Sequence, residues 1–280
     1  MTILTRLFAA LLGVILVLVG SLWTVGSQQP SRVIYEQETI IFVAIRQTEA
    51  SDDDGLTALS DNAIWKARAL FPLIGDGENY WSDYFILPPD YGSISELKSA
   101  SQIDDIYAAE VQLIDVPSIA LGMMRIQHLI GLSKRPDGEL PDSIEEVDGR
   151  LDILPSNEAI ARSQALASDT QVTMVNFLEY IPADDGSKTQ ARQAYGRYGQ
   201  EAFKAVHGVG GQFLFAGRIK AVLVEAQNEP MPVIWDDLAA MIYPDPTAIF
   251  AMEQNPDYRR SLGDRDEGLR RTRVVASKAY

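Results

Sequence analysis

The feature that most constrains the fold of this chain is an order of strands and helices that occurs twice after residue 30. Each stretch, of about 110 residues, opens on a strand: Thr39–Ile45, apolar almost throughout, in the first, and Val172–Glu179, apolar apart from Thr173, Asn176 and Glu179, in the second. Later in each stretch come an apolar strand, a proline, a hydroxyl-bearing residue and an apolar helix, so that Val111–Met123 aligns with Ala240–Met252. This order is the split βαβ pattern of a ferredoxin-like sandwich.

Hydrophobic periodicity and turn residues predict the elements of both copies. After its opening strand, the first copy is expected to contain a helix, two strands, a second helix and a closing strand, at Leu56–Phe71, Tyr80–Leu87, Tyr107–Ile114, Pro117–Ile130 and Arg150–Leu154. The second copy is expected to contain a helix capped by Gly208, three strands, a helix and a closing strand, at Lys188–His207, Gly211–Gly217, Ala221–Glu225, Leu238–Tyr243, Pro246–Glu253 and Leu269–Ala276.

The two opening strands are apolar on both faces, which is typical of strands buried between two layers. A single four-stranded sheet with helices on one face leaves its other face bare and its edge strands unpaired. Two tandem copies would bury both bare faces by closing one barrel within the chain. We therefore predict an α+β fold with two ferredoxin-like domains, at residues 31–155 and 168–280, preceded by a separate segment, residues 1–30.

The N-terminal segment contains an uncharged apolar run, Leu7–Val25. As a helix its 19 residues would be about 28 Å long, enough to span the hydrocarbon core of a lipid bilayer. Arg6 precedes the run, and Trp23 lies near its far end, where interfacial aromatic residues are common. We expect a retained transmembrane helix; the alternative is a cleaved signal peptide ending at Val25–Ser27. The anchored form would be a single-pass inner-membrane protein whose soluble domains are periplasmic or extracellular.

Composition excludes several classes of function. The 280 residues carry 24 Lys+Arg against 39 Asp+Glu, a formal net charge of −15, which argues against a nucleic-acid partner. There is no cysteine, so disulfides, thiolate metal sites and a cysteine nucleophile are excluded. The two histidines, His128 and His207, are too few for a typical zinc centre. We therefore expect neither a metal nor another cofactor.

Residues 172–276 contain two spaced tyrosines and five short motifs, the last of them a helix-end signature: Tyr195 and Tyr198, His207–Gly211, Ala216–Arg218, Val222–Glu225, Met241–Pro246 and Asn255–Tyr258. With these motifs in this order, the stretch resembles domain-of-unknown-function family 1330, a small family of the dimeric α/β-barrel superfamily. The resemblance implies a barrel of two paired ferredoxin-like units. The superfamily includes cofactor-free monooxygenases, muconolactone isomerases and haem-binding chlorite dismutases, so the resemblance implies a fold more than an activity.

Six residues are candidates for contact with a ligand. Asn176 lies in an apolar strand, where a buried amide either orients a substrate oxygen or is satisfied by neighbouring backbone. His207, at the end of a helix, is either a proton shuttle or a histidine stabilised by the helix C-terminus. Arg218 belongs to a late basic cluster, with Arg259, Arg270, Arg271 and Arg273, that either holds a carboxylate or is solvated or paired with acidic residues across the domain junction. Three aromatic residues either line a pocket or form core: Tyr198, Trp235 and Tyr258.

The sequence contains no Ser-His-Asp constellation, phosphate-binding loop or dinucleotide fingerprint. Two diverged copies without an evident catalytic set favour binding over chemistry. We therefore expect a membrane-anchored, exported protein that binds a small molecule or an unidentified protein partner. The alternative is a cofactor-independent monooxygenase or isomerase that uses Asn176, His207 and Trp235 in one cleft of the second domain.

Overall fold

The computed structural model describes residues 30–47, 54–75, 78–92, 94, 103–115, 155–228 and 234–280. Six α-helices occur in these ranges: α1 (Pro30–Tyr35), α2 (Asp54–Asn62), α3 (Asn157–Ala165), α4 (Thr189–Gly208), α5 (Ala248–Ala251) and α6 (Pro256–Gly268). The same ranges contain eight strands: β1 (Thr39–Gln47), β2 (Trp65–Ile74), β3 (Asp83–Leu87), β4 (Ile103–Leu113), β5 (Val172–Tyr180), β6 (Gln212–Val224), β7 (Asp237–Tyr243) and β8 (Leu269–Ala279). A 3₁₀ turn, Met252–Gln254, follows α5.

The eight strands form a closed antiparallel barrel in the order β1-β3-β2-β8-β5-β7-β6-β4. Each half of the chain contributes four adjacent strands in equivalent order, β4-β1-β3-β2 and β8-β5-β7-β6. The halves meet at two seams, where β2 pairs with β8 and β4 pairs with β6. The expected α+β fold with a barrel closed inside one chain is confirmed.

Alternate residues of the strands fill the barrel, as the period of two requires. Phe42 of β1 belongs to the internal core, whereas its neighbours Ile41 and Val43 pack in a separate cluster on the outer face. Inside, the ring centroid of Phe42 lies 5.6 Å from that of Phe177 and 6.4 Å from that of Phe215. Both faces of the opening strands are therefore buried, as their apolar sequences predicted.

Helices α4 and α6 cover the outer face of the second half, and their close contact depends on a glycine. A Cβ atom at Gly268, the last residue of α6, would lie only 2.7 Å from the carbonyl oxygen of Ala191 in α4. The start of α4 lies beside the start of β7, because Lys188 and Asp236 are in contact there. The first turn of α4 is thus held at the end of the barrel where β5 ends and β7 begins.

The short helix α1 is fixed to the barrel. Ile34 is fully buried in the internal core. The hydroxyl of Tyr35 accepts a hydrogen bond from the backbone N–H of Ala216 at 3.2 Å, and its ring stacks on Phe213 at a centroid distance of 6.1 Å. The chain therefore enters the barrel through contacts with β6, directly after the N-terminal segment.

The predicted helix Leu56–Phe71 is wrong in its second half. The helix α2 ends at Asn62, and Trp65 begins β2, which pairs first with β3 and then with β8. Ala67, which falls inside the predicted helix, instead lies with Trp65 in the internal core of the barrel. Pairing with a strand on each side outweighed the local helical spacing.

The predicted cap of α4 is displaced by two residues. Gly208 is the last helical residue, and Gly210 has the positive φ, +82°, that ends the helix. The N–H of Gly210 donates to the carbonyl oxygen of His207, and that of Gly211 donates to Val206. These two bonds form a Schellman motif, which satisfies carbonyl groups that the helix end leaves free.

Three further assignments in the second half are corrected. The two predicted strands, Gly211–Gly217 and Ala221–Glu225, are the single strand β6, because β4 pairs with it from Gly217 to Val224. The predicted helix Pro246–Glu253 is only the short α5 and the 3₁₀ turn. Asn255, assigned to a helix end, begins α6, since its side chain accepts hydrogen bonds from the N–H groups of the first turn.

The alignment of Val111–Met123 with Ala240–Met252 is wrong in register. Val111 lies in β4, whose place in the first sheet corresponds to that of β8, whereas Ala240 lies in β7. An apolar strand followed by proline is therefore not the same element in the two halves. The predicted helix Pro117–Ile130 with His128, and the strand Arg150–Leu154, lie outside the described residues.

The predicted transmembrane run, Leu7–Val25, also lies outside the described residues. Within the ranges that the structure covers, none of the helices combines the length and hydropathy required to cross a membrane. The boundaries 31–155 and 168–280 stay a prediction.

Candidate functional site

An open surface cleft of about 420 Å³ lies where α4 begins, next to β6. Five residues line this cleft, called the cationic pocket below: Lys188, Thr189, Arg192, Gln193 and Arg218. Three of the five are basic, in a chain whose net charge is −15. The volume falls in the range of small-molecule sites. The cationic pocket is therefore a candidate site for an anionic ligand.

The start of α4 contributes to the positive potential of the cationic pocket. Gly186 adopts φ +79° in the preceding turn, a conformation that glycine tolerates without strain. The helix then begins at Thr189 without a side-chain cap and without an acidic residue in its first turn. The positive end of the helix dipole therefore adds to the charges of Lys188 and Arg192.

Two adjacent aspartates hold the basic residues of α4. Asp236 lies 2.7 Å from Lys188 Nζ and 3.4 Å from Arg192 Nη2. Asp237 Oδ1 lies 3.3 Å from the same Arg192 nitrogen. Tyr180 joins the two acids, because its backbone N–H donates to Asp236 and its hydroxyl to Asp237, each at 2.9 Å. Lys188 and Arg192 are thus fixed across the gap between α4 and β7.

Asp237 is the buried one of the two aspartates, at 6% exposure. Burial raises the pKa of its carboxyl above the ordinary value, while Arg192, the Tyr180 hydroxyl and Arg218 act to lower it. Burial also raises the pKa of the Tyr180 hydroxyl, and the carboxylate of Asp237 raises it further. Tyr180 therefore keeps its proton and donates it in the hydrogen bond to Asp237.

Arg218 is the predicted site residue that lines the cationic pocket. It lies opposite Asp237 in the register of β6 and β7, and its side chain is exposed. Trp235 belongs instead to the internal core of the barrel, with 4% exposure and its ring 5.6 Å from that of Phe177. The two residues therefore lie on opposite faces of the sheet.

Tyr198, Tyr258 and His207 belong to the helix layer. The hydroxyl oxygens of Tyr198 and Tyr258 are 3.3 Å apart, and the guanidinium of Arg265 lies 5.9 Å from the Tyr198 ring centroid. This group packs between α4 and α6, and burial raises the pKa of Tyr258. His207 Nδ1 lies 2.9 Å from the carbonyl oxygen of Phe203, one turn earlier in α4.

Asn176 also faces the helix layer, since its neighbours Val175 and Phe177 face the barrel interior. Its side-chain amide donates to the carbonyl oxygens of Met174, at 2.9 Å, and Ala239, at 3.3 Å. The neighbouring backbone thus provides hydrogen-bond partners for this buried amide.

The three residues that the alternative function requires in one cleft are not brought together. Asn176 lies on the outer face of β5, whereas Trp235 lies on the inner face of the sheet. His207 is in the last turn of α4, at the opposite end of that 20-residue helix from the cationic pocket. Each of the three is less than one-tenth exposed.

Other members of the late basic cluster find partners within the chain. Arg270 and Arg271 both form salt bridges with the buried Glu179, at 3.2 Å and 2.8 Å. Arg273 is 3% exposed, and its Nη2 donates to the carbonyl oxygen of Glu78 at 2.7 Å. These three arginines therefore bind groups of the same chain.

Of the charged residues at the cationic pocket, the sequence predicted only Arg218. The two bases of the α4 side and the two aspartates that hold them were not predicted. Lys188 and Arg192 are four residues apart, on one helix face, and Asp236 and Asp237 directly precede an apolar strand. These signals were present in the sequence, but charge patterns of this kind are common on protein surfaces. Only the pairing of β5 with β7 and the packing of α4 bring the four side chains together.

The fold defines the chain as an α+β protein built on a closed antiparallel barrel of eight strands. No family model matches the chain, and no curated protein matches it. The resemblance to family 1330 therefore stays a prediction.

The chain is similar to several solved structures. One is a protein of unknown function from Rhodopseudomonas palustris, with 24% identity and a TM-score of 0.37 over 44% of this chain and 93% of the other. A methylated form of that protein gives 25% identity and a TM-score of 0.38 over 45% and 93%. A provisionally named monooxygenase from Fusobacterium nucleatum gives 7% identity and a TM-score of 0.40 over 87% and 93%.

Proposed function

We propose that this protein binds a small anionic molecule in the cationic pocket. The observation that carries the proposal is the position of Arg218, which lines a cleft of about 420 Å³ and makes no salt bridge with any carboxylate in the described part of the chain. Lys188 and Arg192 line the same cleft. Three basic side chains and a helix N-terminus give it a positive potential in an otherwise acidic protein.

Binding is favoured over the alternative, a cofactor-independent monooxygenase or isomerase. That alternative relies on Asn176, His207 and Trp235 acting together, and these residues face different layers of the fold. The side-chain amide of Asn176 donates to two backbone carbonyl groups, and His207 Nδ1 lies 2.9 Å from the carbonyl oxygen of Phe203. Their geometry therefore supports packing roles, and the cationic pocket supports recognition of a charged ligand.

Native mass spectrometry of the full chain, purified in detergent without added ligand, tests this function. We expect the spectrum to show the protein mass increased by the mass of a retained anion. Arg218→Met removes the guanidinium at similar side-chain length and is expected to reduce the adduct about tenfold or more, because charge-assisted pairing is lost.

The matched control is Arg259→Met, which removes an exposed arginine of α6 outside the lining of the cationic pocket. This variant is expected to retain the adduct, and thermal melting of both variants checks that the fold is intact. A wild-type chain without any adduct, or an Arg218→Met chain that keeps it, contradicts the proposal.

We further propose that Leu7–Val25 anchors the protein in the inner membrane, with the barrel on the exported side. The apolar length of the segment supports this placement, and the contacts of Ile34 and Tyr35 would tie the barrel closely to the anchor. The full chain is expected to stay in the membrane pellet after alkaline carbonate washing, whereas a chain beginning at residue 28 is released. Release of the full chain, or of a shortened mature protein, contradicts a retained anchor.

A further inference from the structure

We infer that the cationic pocket takes a singly charged carboxylate that carries a hydroxyl or oxo group, with Arg218 as its anchor. This inference rests on the proposed function and adds to it the class of ligand and the residue that holds the charge. It is carried by the distribution of ion pairs around the cationic pocket and by the polar residues that line it.

Two of the three basic residues are already neutralised. Lys188 is paired with Asp236 at 2.7 Å, and Arg192 lies within 3.4 Å of Asp236 and 3.3 Å of Asp237. Asp237 is buried beneath them and is further fixed by the Tyr180 hydroxyl. An anion that took either base away from these acids would leave a carboxylate without its partner, which is unfavourable in a buried position.

Arg218 differs from both of them. It lies across from Asp237 on the neighbouring strand, yet forms no salt bridge with it or with any other acid in the described ranges. Its exposed side chain borders the cationic pocket from β6, opposite the helix side formed by Thr189 and Gln193. A planar guanidinium with free N–H groups matches the two oxygens of a carboxylate.

The balance of charge limits the ligand to one negative charge. The three bases and two aspartates leave a single positive charge in the cluster. A second anionic group on the ligand would approach Asp236 and Asp237 and be repelled by them. The helix start adds only a partial positive charge. A monoanion is therefore complementary to the site, and a dianion is not.

Two neutral polar side chains define the rest of the ligand. Thr189 and Gln193 line the cationic pocket on the side of α4. The hydroxyl of threonine and the amide of glutamine both donate and accept hydrogen bonds. A hydroxyl or oxo group next to the carboxylate can use these groups while the carboxylate pairs with Arg218.

Three small probes of matched shape test the assignment by NMR titration of the full chain in detergent. Lactate carries one carboxylate and a hydroxyl, lactamide is its neutral counterpart, and malate is lactate with a second carboxylate on the methyl carbon. We expect lactate to bind about tenfold more tightly than lactamide, because a charge-assisted pair is lost in the amide. Malate is expected to bind more weakly than lactate.

Variants then identify the anchor. Arg218→Met is expected to reduce the ratio between lactate and lactamide to about one, and Arg218→Lys is expected to restore part of it, since lysine keeps the charge but not the planar fork. Arg259→Met is the matched control and should keep the full ratio.

The outcomes separate this inference from the proposed function. Tighter binding of malate than of lactate overturns the charge assignment while leaving an anion site in place. An unchanged ratio in Arg218→Met overturns the role of that arginine. If none of the probes binds although native mass spectrometry shows a retained anion, the ligand class is wrong and the function stands. If the adduct is also absent, both fail.

Discussion

Replacement of Asp105 by alanine is expected to lower the free energy of unfolding by about 4 kcal/mol, because a buried carboxylate is removed from several donors at once. Asp105 is 4% exposed and lies near the start of β4. Its carboxylate accepts hydrogen bonds from the backbone N–H groups of Ile106 at 2.9 Å, Gln227 at 2.9 Å and Asn228 at 2.8 Å. The hydroxyl of Tyr80 donates to it at 2.7 Å.

These bonds fasten the segment after β6 to the start of β4, at one of the two seams between the halves. Alanine would leave three backbone donors and a buried phenol without an acceptor. Urea denaturation followed by circular dichroism measures the loss. We therefore expect Asp105 to be one of the residues on which closure of the barrel depends.

The neighbouring Asp104 provides the control. Its side chain is 45% exposed and forms a surface salt bridge with Arg46 at 3.2 Å. Asp104→Ala is expected to lower the free energy of unfolding by at most about 1 kcal/mol, since exposed ion pairs contribute little to stability. Equal losses in the two variants would show that the hydrogen bonds of Asp105 do not stabilise the seam.

The stability that Asp105 provides should depend on pH. Burial by itself would raise the pKa of this carboxyl, but the backbone donors and the Tyr80 hydroxyl hold it below its usual value. A lowered folded-state pKa means that the contribution is complete above the unfolded-state pKa of about 3.9. It is lost as the pH falls through the lower value of the folded state. The difference in free energy of unfolding between wild type and Asp105→Asn should be constant above about pH 5 and shrink as the pH falls below the unfolded-state pKa.

Replacement of Gly217 by alanine is expected to lower the free energy of unfolding by about 3 kcal/mol, because the new methyl group has no room at the same seam. A Cβ atom at this position would lie 2.5 Å from Val111 Cγ1 and 2.6 Å from the carbonyl oxygen of Gln112. That oxygen belongs to the backbone of β4, which is paired with β1 and β6. The clash therefore cannot be relieved by a side-chain rotation alone.

Gly263→Ala is the matched control, since a Cβ at this position in α6 has no neighbour within 4 Å. It is expected to stabilise the protein by about 0.5 to 1 kcal/mol, because alanine favours the helix more than glycine does. Both variants can be measured by urea denaturation. A Gly217→Ala chain as stable as wild type would show that β4 and β6 separate easily.

The sequence by itself determined the class of fold. The strands Thr39–Ile45 and Val172–Leu178 carry apolar residues on both faces, so both faces had to be covered, and a barrel is the arrangement that covers them. The helix Lys188–His207 was also predicted from the sequence, because helical periodicity is a local property. Such features depend on neighbours within a few residues of each other.

The tertiary structure decided what depends on distant parts of the chain. Residues 65–71 were predicted as the second half of a helix, and only pairing with β3 and β8 makes them a strand. The cationic pocket arises in the same way: Lys188 and Arg192 come from the start of α4, Arg218 comes from β6, and the two aspartates beneath them come from the start of β7. Charged residues on a surface carry no signal of which distant partner they will meet. That choice is made when the strands pair and the helix packs on them.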